Sequence, residues 1–287
     1  MPDWLTDSPG AELAHVAFGS GGETLHAVLM LPGGTPPHPA AVILHGIPGW
    51  EANGDLAHAL ARAGRVVLVP HYRGSWGMPG RWSWAHTLED AAAAVDLLLD
   101  EQFAAEHGID PTRVAVIGHS LGGFLALMTA ARRPQVVAAA SLAGFDFGTA
   151  AGLLAASPDL RRAYERGWDE DARVLTGTSG EALVAELEAA GPAWSLRALA
   201  PDLADRPVLL VAGERDTLAP PAVHHEPLAR ALREAGGRPE ALRLDTGHSF
   251  ADKRLTVAGL LVDFLDSVDG SLPRGRADRT GGPVDDR

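Results

Sequence analysis

Cysteine is absent from the 287 residues of this chain, and its absence excludes several kinds of chemistry. No disulfide can form, no thiolate can act as a nucleophile, and no cysteine can bind a metal. Long apolar runs are absent too, and none reaches the roughly 20 residues that a membrane-spanning helix needs. The N-terminal residues show no basic segment followed by an apolar one. We therefore expect a cytoplasmic protein without a membrane partner.

Basic residues are few, with 24 Lys and Arg against 37 Asp and Glu. The resulting formal net charge of -13 repels phosphate backbones, so we expect no nucleic-acid partner. Hydrophobic residues make up 46% of the chain and charged residues 21%, which is typical of a globular protein. The length favours one large domain over two independent ones.

Short apolar runs alternate with segments of helical periodicity along most of the chain. The predicted strands are residues 15–18, 25–31, 40–44, 66–69, 113–117, 136–142, 208–212 and 241–244. The predicted helices are residues 52–63, 86–106, 121–133, 222–235 and 254–268. This alternation predicts an α/β fold with a mostly parallel central sheet flanked by helices. In such sheets ligands bind beyond the carboxyl ends of the strands, so functional residues are sought there.

The alternation stops between residues 149 and 204, which carry helix-start signals but no buried strand pattern. We interpret these residues as a helical lid inserted into a single domain, whose core covers about 14–148 and 205–268. Residues 270–287 are rich in Gly, Pro, Asp and Arg and are predicted to form a disordered tail.

The segment Gly118-His119-Ser120-Leu121-Gly122 lies between a predicted strand and an apolar helix. This is the context of a nucleophile elbow, in which the serine occupies a strained strand-to-helix turn. The residues two positions away must be small because the turn brings them together. The helix directs its positive N-terminal end at the site. The pattern predicts Ser120 as a nucleophile, and His119 points elsewhere and cannot be its base.

A serine hydroxyl is a weak nucleophile unless a base accepts its proton. His248 follows the last predicted strand, and Asp216 follows the strand before it. The chain order of serine, acid and histidine is the one that accompanies a nucleophile elbow. We therefore predict Ser120 as nucleophile, His248 as general base and Asp216 as the acid that orients the base.

Other residues near the same strand ends are alternatives for these roles. Glu214 and Asp245 could replace the acid, although solvation at the surface explains them equally simply. His224 and His225 could replace the base, but they lie at a predicted helix start, which favours an exposed or capping role. Residues 224–226 read His-His-Glu, a spacing that does not place metal ligands on one helix face. We expect neither a metal nor a cofactor.

A tetrahedral intermediate needs hydrogen-bond donors for its oxyanion. One donor is expected from the N–H of Leu121, the residue after the nucleophile. The other is expected from the loop at residues 45–50, and Ile47 is the candidate because Pro48 has no N–H. The alternative explanation of this loop is a tight turn without a binding role.

Together these segments resemble the α/β-hydrolase superfamily over roughly residues 14–268. The His-Gly-Ile-Pro run at 45–48 and the His-Tyr-Arg-Gly-Ser run at 71–75 resemble its prolyl oligopeptidase-like and dienelactone hydrolase-like branches. In those branches a His-Gly-Gly-Pro-type loop and a Tyr-Arg-Gly-Ser segment occupy the equivalent places. Ile47 replaces the usual glycine, which leaves less room beside the oxyanion. The propeller that screens peptide substrates in prolyl oligopeptidases has no counterpart in these residues.

Trp50, Trp76 and Phe145 lie in loops near the expected strand ends and are predicted to bind substrate. Packing of the loops is the alternative role for each of them. The combined reading is a serine hydrolase that cleaves small-molecule carboxylic esters through an acyl-enzyme. A peptidase or amidase with the same residues is the nearest alternative. A catalytically silent ligand-binding protein on the same fold is the alternative from another class.

Overall fold

The computed structural model describes residues 2–270, so the predicted tail lies outside the described residues except for Gly270. Eight strands form one sheet in the order β1-β2-β4-β3-β5-β6-β7-β8. β1 pairs antiparallel with β2, β2 pairs antiparallel with β4, and every other neighbouring pair is parallel. The strands are β1 (Glu12–Ser20), β2 (Glu23–Leu31), β3 (His38–Leu44), β4 (Val66–Pro70), β5 (Ile109–His119), β6 (Val136–Leu142), β7 (Val208–Gly213) and β8 (Glu240–Leu244).

The helices of the described residues flank this sheet, which confirms the predicted fold class. They are α1 (Gly54–Arg62), α2 (Trp84–Leu99), α3 (Glu101–Glu106), α4 (Leu121–Ala131), α5 (Phe147–Ala156), α6 (Pro158–Ala172), α7 (Gly180–Ala190), α8 (Ala200–Leu203), α9 (Pro221–His224), α10 (Glu226–Glu234) and α11 (Arg254–Val268). None of the helices within residues 2–270 combines the length and the apolar character that crossing a bilayer requires.

Two predicted helices are each divided in the structure. The helix expected at 86–106 breaks at Asp100, whose backbone is extended and whose side chain accepts a hydrogen bond from the N–H of Phe103 at 2.8 Å. Asp100 is therefore an N-cap, which the continuous apolar periodicity concealed. The helix expected at 222–235 breaks at His225, because Pro227 has no N–H to continue the hydrogen-bond ladder.

The hydrophobic core has two layers, one on each face of the sheet. Successive residues of a strand point to opposite faces, so Val42 belongs to one layer and Ile43 to the other. The first layer packs against α2 and α4, and the second against α1 and α11. Every residue of α4 before its last is buried, so this helix forms a firm base for the turn at its N-terminus.

The chain between β6 and β7 contains α5, α6, α7 and α8, and no strand is assigned in it. α6 packs against α7, and α5 contacts both of them. Residues of α6 reach the cavity at the carboxyl ends of β5 and β8, where this helical segment covers the sheet edge. A lid function for the segment predicted at 149–204 stays a prediction.

Candidate active site

Ser120 lies in the turn between β5 and α4 with a strained backbone, at φ 57° and ψ −118°. Such a conformation costs about 1–3 kcal/mol and persists only where the surroundings impose it. Its N–H donates to the carbonyl oxygen of Leu142 at 2.8 Å. A Cβ added to Gly118 would lie 1.9 Å from the carbonyl oxygen of Gly122, and one added to Gly122 would lie 1.9 Å from that of Leu44. The glycines are therefore required by close backbone contacts that hold the turn.

His248 and Asp216 meet at the same sheet edge, in the loops after β8 and β7. The Nδ1–H of His248 donates to Oδ2 of Asp216 at 2.7 Å. The other carboxylate oxygen accepts from the N–H groups of Leu218 and Ala219, both at 2.8 Å. Because Nδ1 carries the proton in this bond, Nε2 of His248 is left as a proton acceptor.

The environment of Asp216 keeps its carboxyl group ionised. Burial is the largest single influence and raises the pKa, whereas the hydrogen bond and charge of His248 lower it. The two backbone N–H donors add to that lowering, and the net pKa of Asp216 lies below its ordinary value. An ionised carboxylate can hold His248 in one orientation and stabilise the imidazolium that forms when Nε2 accepts a proton.

His119 has a structural role that sequence reasoning did not predict. Its Nε2–H donates to the backbone carbonyl oxygen of His248 at 2.8 Å, and the two ring centroids are 5.0 Å apart. Burial lowers the pKa of His119 to about 4, so this donor is a neutral imidazole at neutral pH. The residue before the nucleophile therefore fixes the backbone of the candidate base.

The two predicted oxyanion donors belong to residues at the cavity that contains Ser120. Ile47 and Leu121 both line this cavity. Neither backbone N–H donates a hydrogen bond within residues 2–270, so both are available to a ligand. The carbonyl oxygen of His45, in the same loop as Ile47, accepts from the Tyr72 hydroxyl at 3.0 Å. The following residue, Arg73, forms an ion pair with the fully buried Asp90 at 2.7 Å, which anchors the segment at 71–75.

The cavity has a volume of about 570 Å³ and reaches Ser120 and His248. Of the three residues predicted to bind substrate, Trp50 and Phe145 line it. Trp76 is not among the lining residues: its ring packs edge-on against that of Trp50 with ring centroids 5.1 Å apart, and its Nε1–H donates to the carbonyl oxygen of Pro48 at 2.9 Å. Trp76 therefore supports the loop, whereas Trp50 is 71% exposed.

The alternative acids and bases do not reach the cavity. Glu214 is exposed, and the exposed Asp245 pairs with Arg215. His225 is partly buried and is not among the lining residues. His224 is buried and stacks on Phe145 with ring centroids 4.4 Å apart. The structure thus joins Asp216 to His248 by a hydrogen bond and places His248 and Ser120 at the same cavity, whereas within residues 2–270 no hydrogen bond joins Ser120 to His248.

The sequence profile described as the alpha/beta hydrolase family matches residues 41–260, more than half of the chain. The chain belongs to the alpha/beta hydrolase family. This match confirms the resemblance inferred from the elbow, the strand-end acid and the strand-end histidine.

Individual relatives of this alpha/beta hydrolase are distant. An uncharacterized protein of Mycobacterium tuberculosis is 37% identical over 97 residues, which is 33% of each chain, so the match spans a third of that relative. An acylaminoacyl peptidase of Pyrococcus horikoshii has a TM-score of 0.69 at 16% identity, covering 95% of this chain and 44% of the other. An esterase of Pyrobaculum calidifontis has a TM-score of 0.66 at 20% identity, covering 91% and 87%. At these identities the two structures show the shared fold.

Sequence reasoning predicted that Trp168 in the helical insertion could cover the site, but it did not identify Tyr164 and Asp171 as residues of the hydrolase cavity. Tyr164, Trp168 and Asp171 line it, and they are spaced by four and three residues. That spacing places them on one face of a helix and was readable from the sequence. Which face of α6 meets the cavity depends on its packing against α7, for which the sequence holds no local signal.

Three buried histidines of the hydrolase make its stability depend on pH. Burial lowers the pKa of His45, His119 and His224 to about 4 in each case. In the unfolded chain a histidine has a pKa of about 6.5, so between pH 6.5 and 4 the unfolded state binds more protons. The free energy of unfolding therefore keeps its full value with respect to these histidines above pH 6.5 and falls as the pH drops towards 4. Between pH 7.5 and 5.0 each of these histidines lowers the free energy of unfolding by about 2 kcal/mol.

We expect His224→Asn to reduce this pH dependence by about 2 kcal/mol. The Nδ1 of His224 accepts from the N–H of Asp146 at 3.0 Å, and an asparagine oxygen can replace that acceptor without titrating. Urea unfolding at pH 7.5 and 5.0 measures the free energy of unfolding. His58→Asn is the matched control because His58 is exposed. An unchanged pH dependence in His224→Asn would show that this histidine is not held neutral in the fold.

Proposed function

We propose that this protein is a serine hydrolase that cleaves carboxylic esters through an acyl-enzyme intermediate. The observation that carries the proposal is the 2.7 Å hydrogen bond between His248 and the ionised Asp216, made at the cavity into which the strained turn of Ser120 opens. A buried carboxylate, a histidine with a free Nε2 and a serine in an elbow are the components of an activated serine nucleophile.

In the proposed reaction, Oγ of Ser120 attacks the ester carbonyl carbon while Nε2 of His248 accepts the hydroxyl proton. The carbonyl oxygen becomes an oxyanion and accepts hydrogen bonds from the N–H groups of Ile47 and Leu121. Collapse of the tetrahedral intermediate breaks the bond to the alcohol, which takes the proton from His248. Water then repeats the sequence on the acyl-enzyme, releasing the acid and restoring Ser120. Asp216 stabilises the imidazolium in both halves.

The lining of the cavity favours esters over peptides. An amide nitrogen must be protonated as it leaves, which requires a tightly positioned leaving group, whereas an alcohol needs less help. Most of the cavity wall that the described residues form is aromatic or aliphatic. Ile47 lines the cavity, and its side chain leaves less room beside the proposed oxyanion than a glycine would, which favours short or slender acyl groups.

A comparison of kcat/KM values tests the proposal. We expect nitrophenyl esters of short acyl groups to be the best substrates, with values falling as the acyl chain lengthens. Because nitrophenyl esters are intrinsically reactive, an unactivated alkyl ester is compared with an aminoacyl anilide of similar size. The alkyl ester is expected to be hydrolysed faster.

Each outcome of this comparison assigns a reaction class. If the aminoacyl anilide or a small peptide is cleaved faster than the alkyl ester, the protein is a peptidase or amidase that uses the same three residues. The absence of turnover with every substrate, together with saturable binding, would indicate a ligand-binding protein on this fold.

A further inference from the structure

One carboxylate of the cavity, that of Asp171, has no hydrogen-bond or ion-pair partner among the described residues. Asp171 lies next to the C-terminal residue of α6 and faces the cavity together with Tyr164 and Trp168. Neither the Asp171 carboxylate nor the Tyr164 hydroxyl takes part in a hydrogen bond or ion pair within residues 2–270. By contrast, Glu165 on the same helix pairs with Arg161, and Asp169 accepts a hydrogen bond from the N–H of Gly180.

The position of Asp171 disfavours a negative charge in three ways. Burial is the largest, and with the neighbouring charge of Glu170 it raises the pKa of Asp171 to about 6. The C-terminal end of a helix carries a partial negative charge, and the last turn of α6 contains no basic residue to offset it. A carboxylate kept at such a place without a protein partner lowers stability, which is typical of groups retained for a ligand.

The surroundings of Asp171 suit a cation. Within the described residues no Lys or Arg lines the cavity, whereas a second carboxylate, Glu51, lies at the Trp50 side. The ring of Trp168 packs edge-on against Trp84 and Tyr164, with centroid distances of 5.0 and 5.1 Å. Aromatic rings attract cations through their faces, and they also exclude water from a neighbouring ion pair.

We propose that Asp171 determines substrate specificity by binding a positively charged nitrogen of the substrate, with Trp168 and Tyr164 beside it. This inference rests on the proposed function, because the charged group belongs to the ester that Ser120 attacks. The substrate class is then a carboxylic ester that bears an amine or a quaternary ammonium group on its acyl or alcohol part. The formal net charge of -13 also raises the local concentration of such a cation.

A binding experiment tests the cation site without requiring turnover. In the Ser120→Ala background, tryptophan fluorescence is titrated with choline and with its neutral isostere 3,3-dimethylbutan-1-ol. We expect choline to bind at least tenfold more tightly. Asp171→Asn should abolish this preference, because the amide keeps the shape of the carboxylate and removes its charge. Glu170→Gln is the matched control: it removes one charge from the adjacent, exposed position and should leave the preference in place.

Equal binding of choline and the alcohol would overturn the proposal, and so would an equal loss of preference in Asp171→Asn and Glu170→Gln. Thermal unfolding provides a check on folding. Asp171→Asn should melt at the same or a higher temperature than the parent, since it removes an unfavourable charge. A large fall in melting temperature would show that Asp171 is structural and would also overturn the proposal.

Turnover of two isosteric pairs shows which part of the substrate carries the charge. The acyl pair is nitrophenyl 4-(trimethylammonio)butanoate and nitrophenyl 5,5-dimethylhexanoate. The alcohol pair is butyrylcholine and 3,3-dimethylbutyl butanoate. We expect a kcat/KM ratio of at least ten in favour of the cationic ester in one pair, and we expect this ratio to fall towards one in Asp171→Asn.

Ratios near one in both pairs would contradict the inference. If no ester is hydrolysed while the choline preference persists, the cation site stands and the ester hydrolase proposal fails.

Discussion

Replacement of Ser120 by alanine is expected to lower kcat for an activated ester by ~10⁶-fold, the size of the loss when a serine nucleophile is removed. The hydroxyl is the atom that forms the acyl-enzyme in the proposed reaction. Its backbone conformation is imposed by contacts around Gly118 and Gly122, and these contacts do not involve the hydroxyl. The alanine variant should therefore keep the fold, and its melting temperature should stay within a few degrees of the parent.

Covalent labelling identifies the nucleophile independently of any substrate. A fluorophosphonate probe should label the parent protein at one serine, and peptide mapping should locate the label at Ser120. Ser249→Ala is the matched control, because Ser249 is exposed and adjoins the candidate base His248. The control should be labelled as fast as the parent. Undiminished labelling of Ser120→Ala would assign the nucleophile to another residue.

The sequence predicted that Ser120, Asp216 and His248 lie near one another because each follows a strand within a few residues. The carboxyl ends of parallel strands lie at one edge of a sheet, so the alternation of strands and helices already places these residues near one another. The elbow glycines carry their own local signal, since close backbone contact tolerates no side chain there. What such a pattern predicts is proximity.

Features that depend on packing between distant segments were not predictable in this way. Trp76 looks like a pocket residue in sequence, yet it is absent from the cavity lining, packs edge-on against Trp50 and donates from its indole N–H to the carbonyl oxygen of Pro48. His119 donates to the backbone of His248 across 129 positions of the chain, and no local pattern encodes that contact. The same holds for Asp171, because its exposure to the cavity depends on how α6 packs over the sheet edge.

Asp216→Asn is expected to reduce turnover by ~10⁴-fold while leaving the fold intact. The asparagine oxygen can still accept from the N–H groups of Leu218 and Ala219, so the loop after β7 keeps its hydrogen bonds. The amide NH₂ then faces Nδ1 of His248, and a donor in that position favours the tautomer whose proton is on Nε2. Such a histidine cannot accept the proton of Ser120, and no carboxylate remains to stabilise an imidazolium.

The pH dependence of the variant distinguishes a lost orienting acid from general damage to the site. Raising the pH cannot restore the tautomer, so the activity of Asp216→Asn should stay low across the neutral range. Hydroxide-dependent acylation should appear only at high pH.

Glu214→Gln is the control, because Glu214 is exposed and lies two residues from Asp216. It should retain activity within about threefold of the parent, as expected for a surface substitution. A reversal of the two effects would assign the orienting role to Glu214. Loss of folding in Asp216→Asn would show that its carboxylate holds the loop, and Asp216→Glu would then be the variant that separates charge from geometry.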